Sequence, residues 1–163
     1  MDLIEGSTKG HSLRFAIIVA RFNDFVTDRL QAGALEALAA AGVASEDVSV
    51  IKVPGAFEIP FAARQAAETG RFHAVICLGC LIRGATAHFE YLASAASQGV
   101  TEAAAATGVP MTFGVLTTNS AEEALERAGS QSANKGWEAA TAAIEMATLQ
   151  RTLRRTPADG IRA

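Results

Sequence analysis

Short apolar runs alternate along this chain with longer segments whose apolar residues recur every three or four positions. LRFAIIVA at 13–20 has the β-branched, unbroken apolar character of a parallel strand buried on both faces. From Asn23 or Asp24, either of which could be the N-cap, Phe25, Val26, Leu30, Ala34, Leu35 and Leu38 follow at helical spacing, and Gly42 provides a stop. The pattern then repeats. Strands are predicted at 47–53, 73–79 and 111–118, and helices at 57–69, 86–106, 121–129 and 136–154. Pro60 is tolerated only if it falls in the first turn of its helix.

Four strands alternating with helices imply a parallel sheet with right-handed crossovers and helices on both faces, a flavodoxin-like three-layer α/β/α sandwich. Residues 1–163 form one domain, with 1–12 as an extended N-terminal arm and 156–163 as a flexible tail. The alanine stretches at 37–41, 93–96 and 103–106 are close-packing helix rather than low-complexity sequence.

Composition adds one inference and removes several. Charged residues are only 19% of the chain while hydrophobic ones are 50%, too little charge to cover a lone monomer comfortably, so subunit contacts are expected. A net charge of −3 and a pI near 5.6 argue against a phosphate-backbone binder, and Arg151, Arg154 and Arg155 suit a solvated helix end. No basic leader and no apolar run long enough to span a bilayer is present, which predicts a cytoplasmic protein without membrane contact. Cys77 and Cys80 form C-x-x-C, but on or just past one strand they point to opposite faces, which disfavours a disulfide. With the histidines scattered, no zinc site is expected.

In open α/β sheets the ligand crevice lies beyond the carboxyl ends of the strands, where strand order reverses. The loops to inspect are Arg21–Asn23, Pro54–Glu58, Cys80–His88 and Thr118–Asn119. The third carries the strongest signal. Gly84 can take conformations closed to other residues, and the N–H groups of Ala85 and Thr86 sit where a helix begins, making an anion cradle. The same residues also suit an ordinary βα turn with a Thr cap, and the two readings weigh evenly until His88 is considered. An imidazole in the first turn of a helix is kept neutral by the positive dipole end, as a general base requires. His11 and His73 read as structural. Phe22 and Phe57 stand in strand-end loops where a ring is wasted unless it packs on a ligand or partner, whereas Phe15, Phe61 and Phe72 are assigned to the core. Glu58 either caps its helix or accepts hydrogen bonds from a polyhydroxylated ligand.

The chain lacks G-x-x-x-x-G-K-[ST], G-x-G-x-x-G, H-E-x-x-H and G-x-S-x-G, so the usual anchors of nucleotide hydrolysis, dinucleotide binding, zincin and serine-hydrolase chemistry are missing. Acid–base chemistry on a small phosphorylated substrate remains.

VPGAFEIP (53–60), GCLIRGATAHFEY (79–91), FGVLTTN (113–119) and ERAGSQSANKGWEAA (126–140) resemble the 6,7-dimethyl-8-ribityllumazine synthase family of riboflavin biosynthesis. The resemblance implies a transferase that condenses 5-amino-6-(D-ribitylamino)uracil with 3,4-dihydroxy-2-butanone 4-phosphate to the lumazine, phosphate and water, with no cofactor and no metal. It implies that Phe22 stacks on the pyrimidine with help from Asn23, that Ala56, Phe57 and Glu58 hold the ribityl chain, and that Cys80, Leu81 and Ile82 lend backbone contacts. Ala85 and Thr86 would hold the phosphate with Arg127 as charge partner, and His88 would move protons. Phe113, Arg127 and Lys135 would come from the neighbouring subunit of a homopentamer, leaving Arg83 to brace the loop or the interface.

The compact turn at 129–136 resembles members that close into a sixty-subunit icosahedral shell, for which riboflavin synthase is a candidate cargo, and the segment before Ser12 would add a strand to a neighbour's sheet. Ala87 stands where the family often has proline. A catalytically silent cage-forming scaffold is the alternative, but scaffolding does not require Phe22, Glu58, His88, Phe113 and Arg127 together. A flavin-binding module of the same fold would leave His88 and Arg127 without a role.

Overall fold

The computed structural model describes residues 1–155, so the predicted tail at 156–163 lies outside the described residues. Four strands, β1 (Phe15–Ala20), β2 (Val48–Val53), β3 (Ala74–Ile82) and β4 (Met111–Thr118), form one parallel sheet in the order β2-β1-β3-β4. The helices are α1 (Asp24–Ala40), α2 (Ile59–Glu68), α3 (His88–Thr107), α4 (Ala121–Glu126) and α5 (Lys135–Arg155).

The period-2 geometry of the strands sorts their side chains into two cores. Phe15, Ile17 and Val19 of β1 with Ile76, Leu78 and Cys80 of β3 pack under α1 and α5. Ala16, Ile18 and Ala20 with Val75, Cys77 and Leu81 pack under α2 and α3. The two central strands are thus covered on both faces, which explains their unbroken apolar sequence. Cys77 and Cys80 fall in opposite layers as free, buried thiols, as their spacing predicted.

Several boundaries differ from the sequence reading. β3 runs three residues past Gly79, because β4 offers a continuous partner: Cys80, Leu81 and Ile82 pair with Leu116, Thr117 and Thr118. A single 3₁₀ turn (Ala56–Glu58) precedes α2, and Pro60 falls in the first turn of that helix. α4 stops at Glu126, and 127–134 form a compact turn in which Ala128 bridges Asn134. Gly42 ends the α1 segment with φ +84, in the left-handed region. Phe61 was assigned to the core, yet it is 72% exposed, because Ile59, Ala63, Ala66 and Ala67 supply the inward stripe of α2.

Part of the predicted arm lies on its own chain. Ser7 N–H donates to the Thr148 hydroxyl at 2.8 Å and Gly10 N–H to the Ala41 carbonyl at 2.8 Å, while residues 1–5 are exposed. No described helix is long and apolar enough to cross a membrane.

Candidate functional site

Strand order reverses between β1 and β3, and a cleft of about 570 Å³ opens at the carboxyl ends of these strands. It gathers Phe22, Asn23, Ala56, Phe57, Glu58, Cys80, Leu81, Ile82, Thr86 and His88 from the carboxyl ends of β1, β2 and β3 and the segments that follow them. Pro54, Gly55, Gly84, Phe89 and Leu92 complete its lining. Phe89 and Leu92 went unnoticed in the sequence because their helical spacing from His88 reads equally well as core.

The loop after β1 is held by backbone bonds that prolong the sheet. Arg21 N–H donates to Val53 carbonyl at 2.8 Å and Phe22 N–H to Pro54 carbonyl at 3.0 Å. Phe22, fixed at its backbone, remains 70% exposed, and Phe57 in the same cleft is 62% exposed. Two rings that gain so little from their own chain offer apolar faces to a flat guest. Asn23 occupies the N-cap position of α1 in the left-handed conformation (φ 63, ψ 45), but its side chain makes no cap bond. Its amide donates instead to the Cys80 carbonyl at 2.9 Å. Glu58 has the capping role, accepting the Gly55 N–H at 3.0 Å. Burial pushes the Cys80 thiol up to about 11, so the side chain is an uncharged wall of the cleft.

The 83–88 segment corrects two expectations. Gly84 does not use the left-handed region, and a methyl group added there would meet nothing within 4 Å; its contribution is open space at the cleft rim. α3 begins at His88, two residues beyond the Ala85–Thr86 pair, so those two precede the helix instead of forming its first turn. Ala85 is exposed and does not line the cleft. Ala87, with φ −71, already has the dihedral that proline would impose. His88 is exposed at the cleft wall, and its N–H meets the Thr86 hydroxyl only at 3.5 Å. Arg83 braces the segment: Nε donates to Asn119 Oδ1 at 3.0 Å, Nη1 pairs with Glu90, and the guanidinium lies 4.6 Å from the Phe89 ring centroid.

Phe113, Arg127 and Lys135 are elsewhere. They line a second cleft of about 440 Å³ along the edge strand β4, which shares no lining residue with the first. Arg127 Nη1 donates to the Glu123 carbonyl at 2.9 Å, and Lys135 Nζ pairs with Glu138 at 2.7 Å. Both cations are exposed, so these contacts hold them weakly and an anion could replace them. Glu138 was not anticipated; its signal was the i,i+3 spacing from Lys135. The Thr112 hydroxyl in this cleft is buried without a hydrogen-bond partner. Among the described residues no group of three His, Cys, Asp or Glu side chains could hold a metal ion.

The profile of the 6,7-dimethyl-8-ribityllumazine synthase family matches residues 12–151. The chain is 52% identical over 147 residues to the 6,7-dimethyl-8-ribityllumazine synthase of Desulfatibacillum aliphaticivorans, covering 90% of this chain and 95% of that one. It is 52% identical over 149 residues to the enzyme of the same name from Syntrophus aciditrophicus (strain SB), covering 91% and 97%.

Proposed function

The chain belongs to the 6,7-dimethyl-8-ribityllumazine synthase family, and from that premise we propose that it condenses 5-amino-6-(D-ribitylamino)uracil with 3,4-dihydroxy-2-butanone 4-phosphate. The observation that carries this reading is the division of the candidate residues between two clefts. The sheet-end cleft has exposed rings and strand-end backbone suited to a flat, hydroxylated heterocycle, and the β4-edge cleft has exposed cations suited to a phosphate.

In this reading Phe22 stacks on the pyrimidine, Phe57 and Glu58 flank the ribityl chain with Ala56, and Cys80 to Ile82 offer backbone groups to the uracil edge. The exocyclic amine attacks the ketone, and loss of one water gives the imine. Loss of the C3 proton and the C4 phosphate gives an enol that tautomerises to a C3 ketone, and attack of the ribityl-bearing nitrogen on that new carbonyl closes the ring with loss of a second water. His88 is the group within reach to carry protons in these steps. Arg127 and Lys135 of a neighbouring copy would meet the leaving phosphate near Thr86, with Phe113 closing the pyrimidine from the other side.

Such a shared site requires a homo-oligomer, read here as a pentamer that closes into a sixty-subunit shell in the cytoplasm, with riboflavin synthase as a possible guest. The exposed Phe61, Tyr91, Phe113 and Met146 support burial of this surface between copies.

Mixing both substrates with the protein and following lumazine absorbance and phosphate release tests the activity; product at only the uncatalysed rate overturns it. Light scattering that finds nothing larger than a pentamer removes the shell. Arg127→Ala should impair use of the phosphorylated substrate more than His88→Ala does, because an unpaired phosphate charge costs more than a lost proton shuttle.

A further inference from the structure

The buried side chain of Asn134 makes four hydrogen bonds, and it belongs to neither cleft. It is 2% exposed, yet all of its hydrogen-bonding groups that the structure pairs are paired with backbone. Its Nδ2 donates to the Arg29 carbonyl on α1 at 3.0 Å and to the Gly129 carbonyl at 2.8 Å. Its Oδ1 accepts from Gly136 N–H at 2.8 Å and from Trp137 N–H at 3.1 Å, the opening turn of α5. One amide therefore caps α5, closes the 127–134 turn and fastens both to α1.

The two cations of the β4-edge cleft stand at the two ends of that turn. Arg127 caps the end of α4 and Lys135 begins α5, and the Lys135 N–H donates to the Arg127 carbonyl at 2.8 Å. Neither side chain is packed in place, so their separation depends on the backbone between them. That backbone is pinned to the body of the protein through Asn134. The site for the amide is cleared on the α1 side by Gly33, where an added methyl group would collide with the Asn134 side chain.

We infer that Asn134 is a positioning residue for anion binding, setting the spacing of Arg127 and Lys135 without touching the ligand. This rests on the reading that these two cations receive the phosphate.

The test uses the full chain with inorganic phosphate as a competitive probe alongside both substrates. Asn134→Ser keeps an oxygen to cap α5 but loses both N–H donors, and Gly33→Ala displaces the amide while leaving it chemically intact. Each should raise the phosphate inhibition constant and the KM for the butanone phosphate about tenfold, because misplaced charged groups bind and orient poorly. The KM for the aminouracil should change less than twofold. The ratio of the two KM values does not depend on how much of the sample is folded, so a loss of stability cannot mimic the result. Both KM values rising together, or an unchanged phosphate constant in variants where Arg127→Ala raises it, overturns the positioning role. If Arg127→Ala itself leaves phosphate inhibition unchanged, the phosphate assignment fails, and this inference falls with it.

Discussion

The side-chain amide of Asn23 bonds the Cys80 carbonyl just beyond the point where the β1–β3 ladder ends at Val19 and Leu78. A side chain thus continues the pairing of the two central strands into the crevice, and it does so from a left-handed backbone that asparagine tolerates better than most residues. Asn23→Gly should lose only the bond, about 1 kcal/mol, while Asn23→Ala should lose the bond and bear the left-handed penalty, about 2–3 kcal/mol in all. Urea unfolding of the two variants separates these terms. Equal losses would mean that the backbone conformation contributes nothing.

The alternation of buried runs and amphipathic segments was enough to read the parallel sandwich, because both faces of β1 and β3 are covered and leave no polar residue to blur the pattern. The end of β3 was not readable in this way. Gly79 looks like a stop, yet the strand continues because β4 lies beside it, a fact of pairing rather than of local propensity. Phe61 reads as core because it is a large apolar residue within a helix, whereas the smaller Ile59 and Ala63 are the inward residues. The sheet-end cleft followed from the rule that ligands bind beyond the carboxyl ends of parallel strands, together with the residues in those loops. The β4-edge cleft did not, since its residues come from the middle of an edge strand and the start of α5, and only the family resemblance pointed to Phe113, Arg127 and Lys135.

Cys77 and Cys80 should remain reduced and react slowly. Burial raises the Cys77 thiol to about 12 and the Cys80 thiol to about 11, so at pH 8 roughly one Cys80 in a thousand is a thiolate. Mass spectrometry after brief iodoacetamide treatment should find the folded protein essentially unlabelled at both positions. Rapid labelling of Cys80, or a 77–80 disulfide, would contradict the placement of the two side chains on opposite faces of β3.

His73 makes stability depend on pH at the amino end of the sheet. Its Nδ1 accepts the Arg14 N–H at 2.8 Å, a bond open only to an unprotonated nitrogen. Burial, then the charges of Arg14 and Arg151, lower its pKa, against smaller upward pulls from a backbone hydrogen bond with Arg14 and from Asp47. The folded state therefore binds this proton less readily than the unfolded chain does. The stabilisation is complete above the unfolded value of about 6.5 and is lost as pH falls from there through the folded value. Urea midpoints measured from pH 7.5 to 5 should decline, and His73→Gln should flatten the part of that decline which belongs to this residue. An identical slope in the variant would remove His73 as a cause.

Arg83, the first residue past β3, connects that strand's end with Asn119 beyond β4 and with Glu90 in the first turn of α3, near His88. The Glu90 carboxyl is held below its usual range by its own backbone N–H and by the Arg83 guanidinium. About half of each side chain is exposed, so solvent screens the pair and it adds little to stability. Its effect on catalysis should be larger, because the same contacts fix where α3 starts and hence where His88 stands. Arg83→Ala should lower kcat about tenfold with little change in unfolding midpoint. Arg83→Lys separates charge from shape: an ammonium keeps the charge but cannot donate to Asn119 and Glu90 through a planar fork while lying over the Phe89 ring. If Lys restores kcat, charge alone suffices. If the Lys variant behaves like Ala, the guanidinium acts by holding the 83–88 segment against α3.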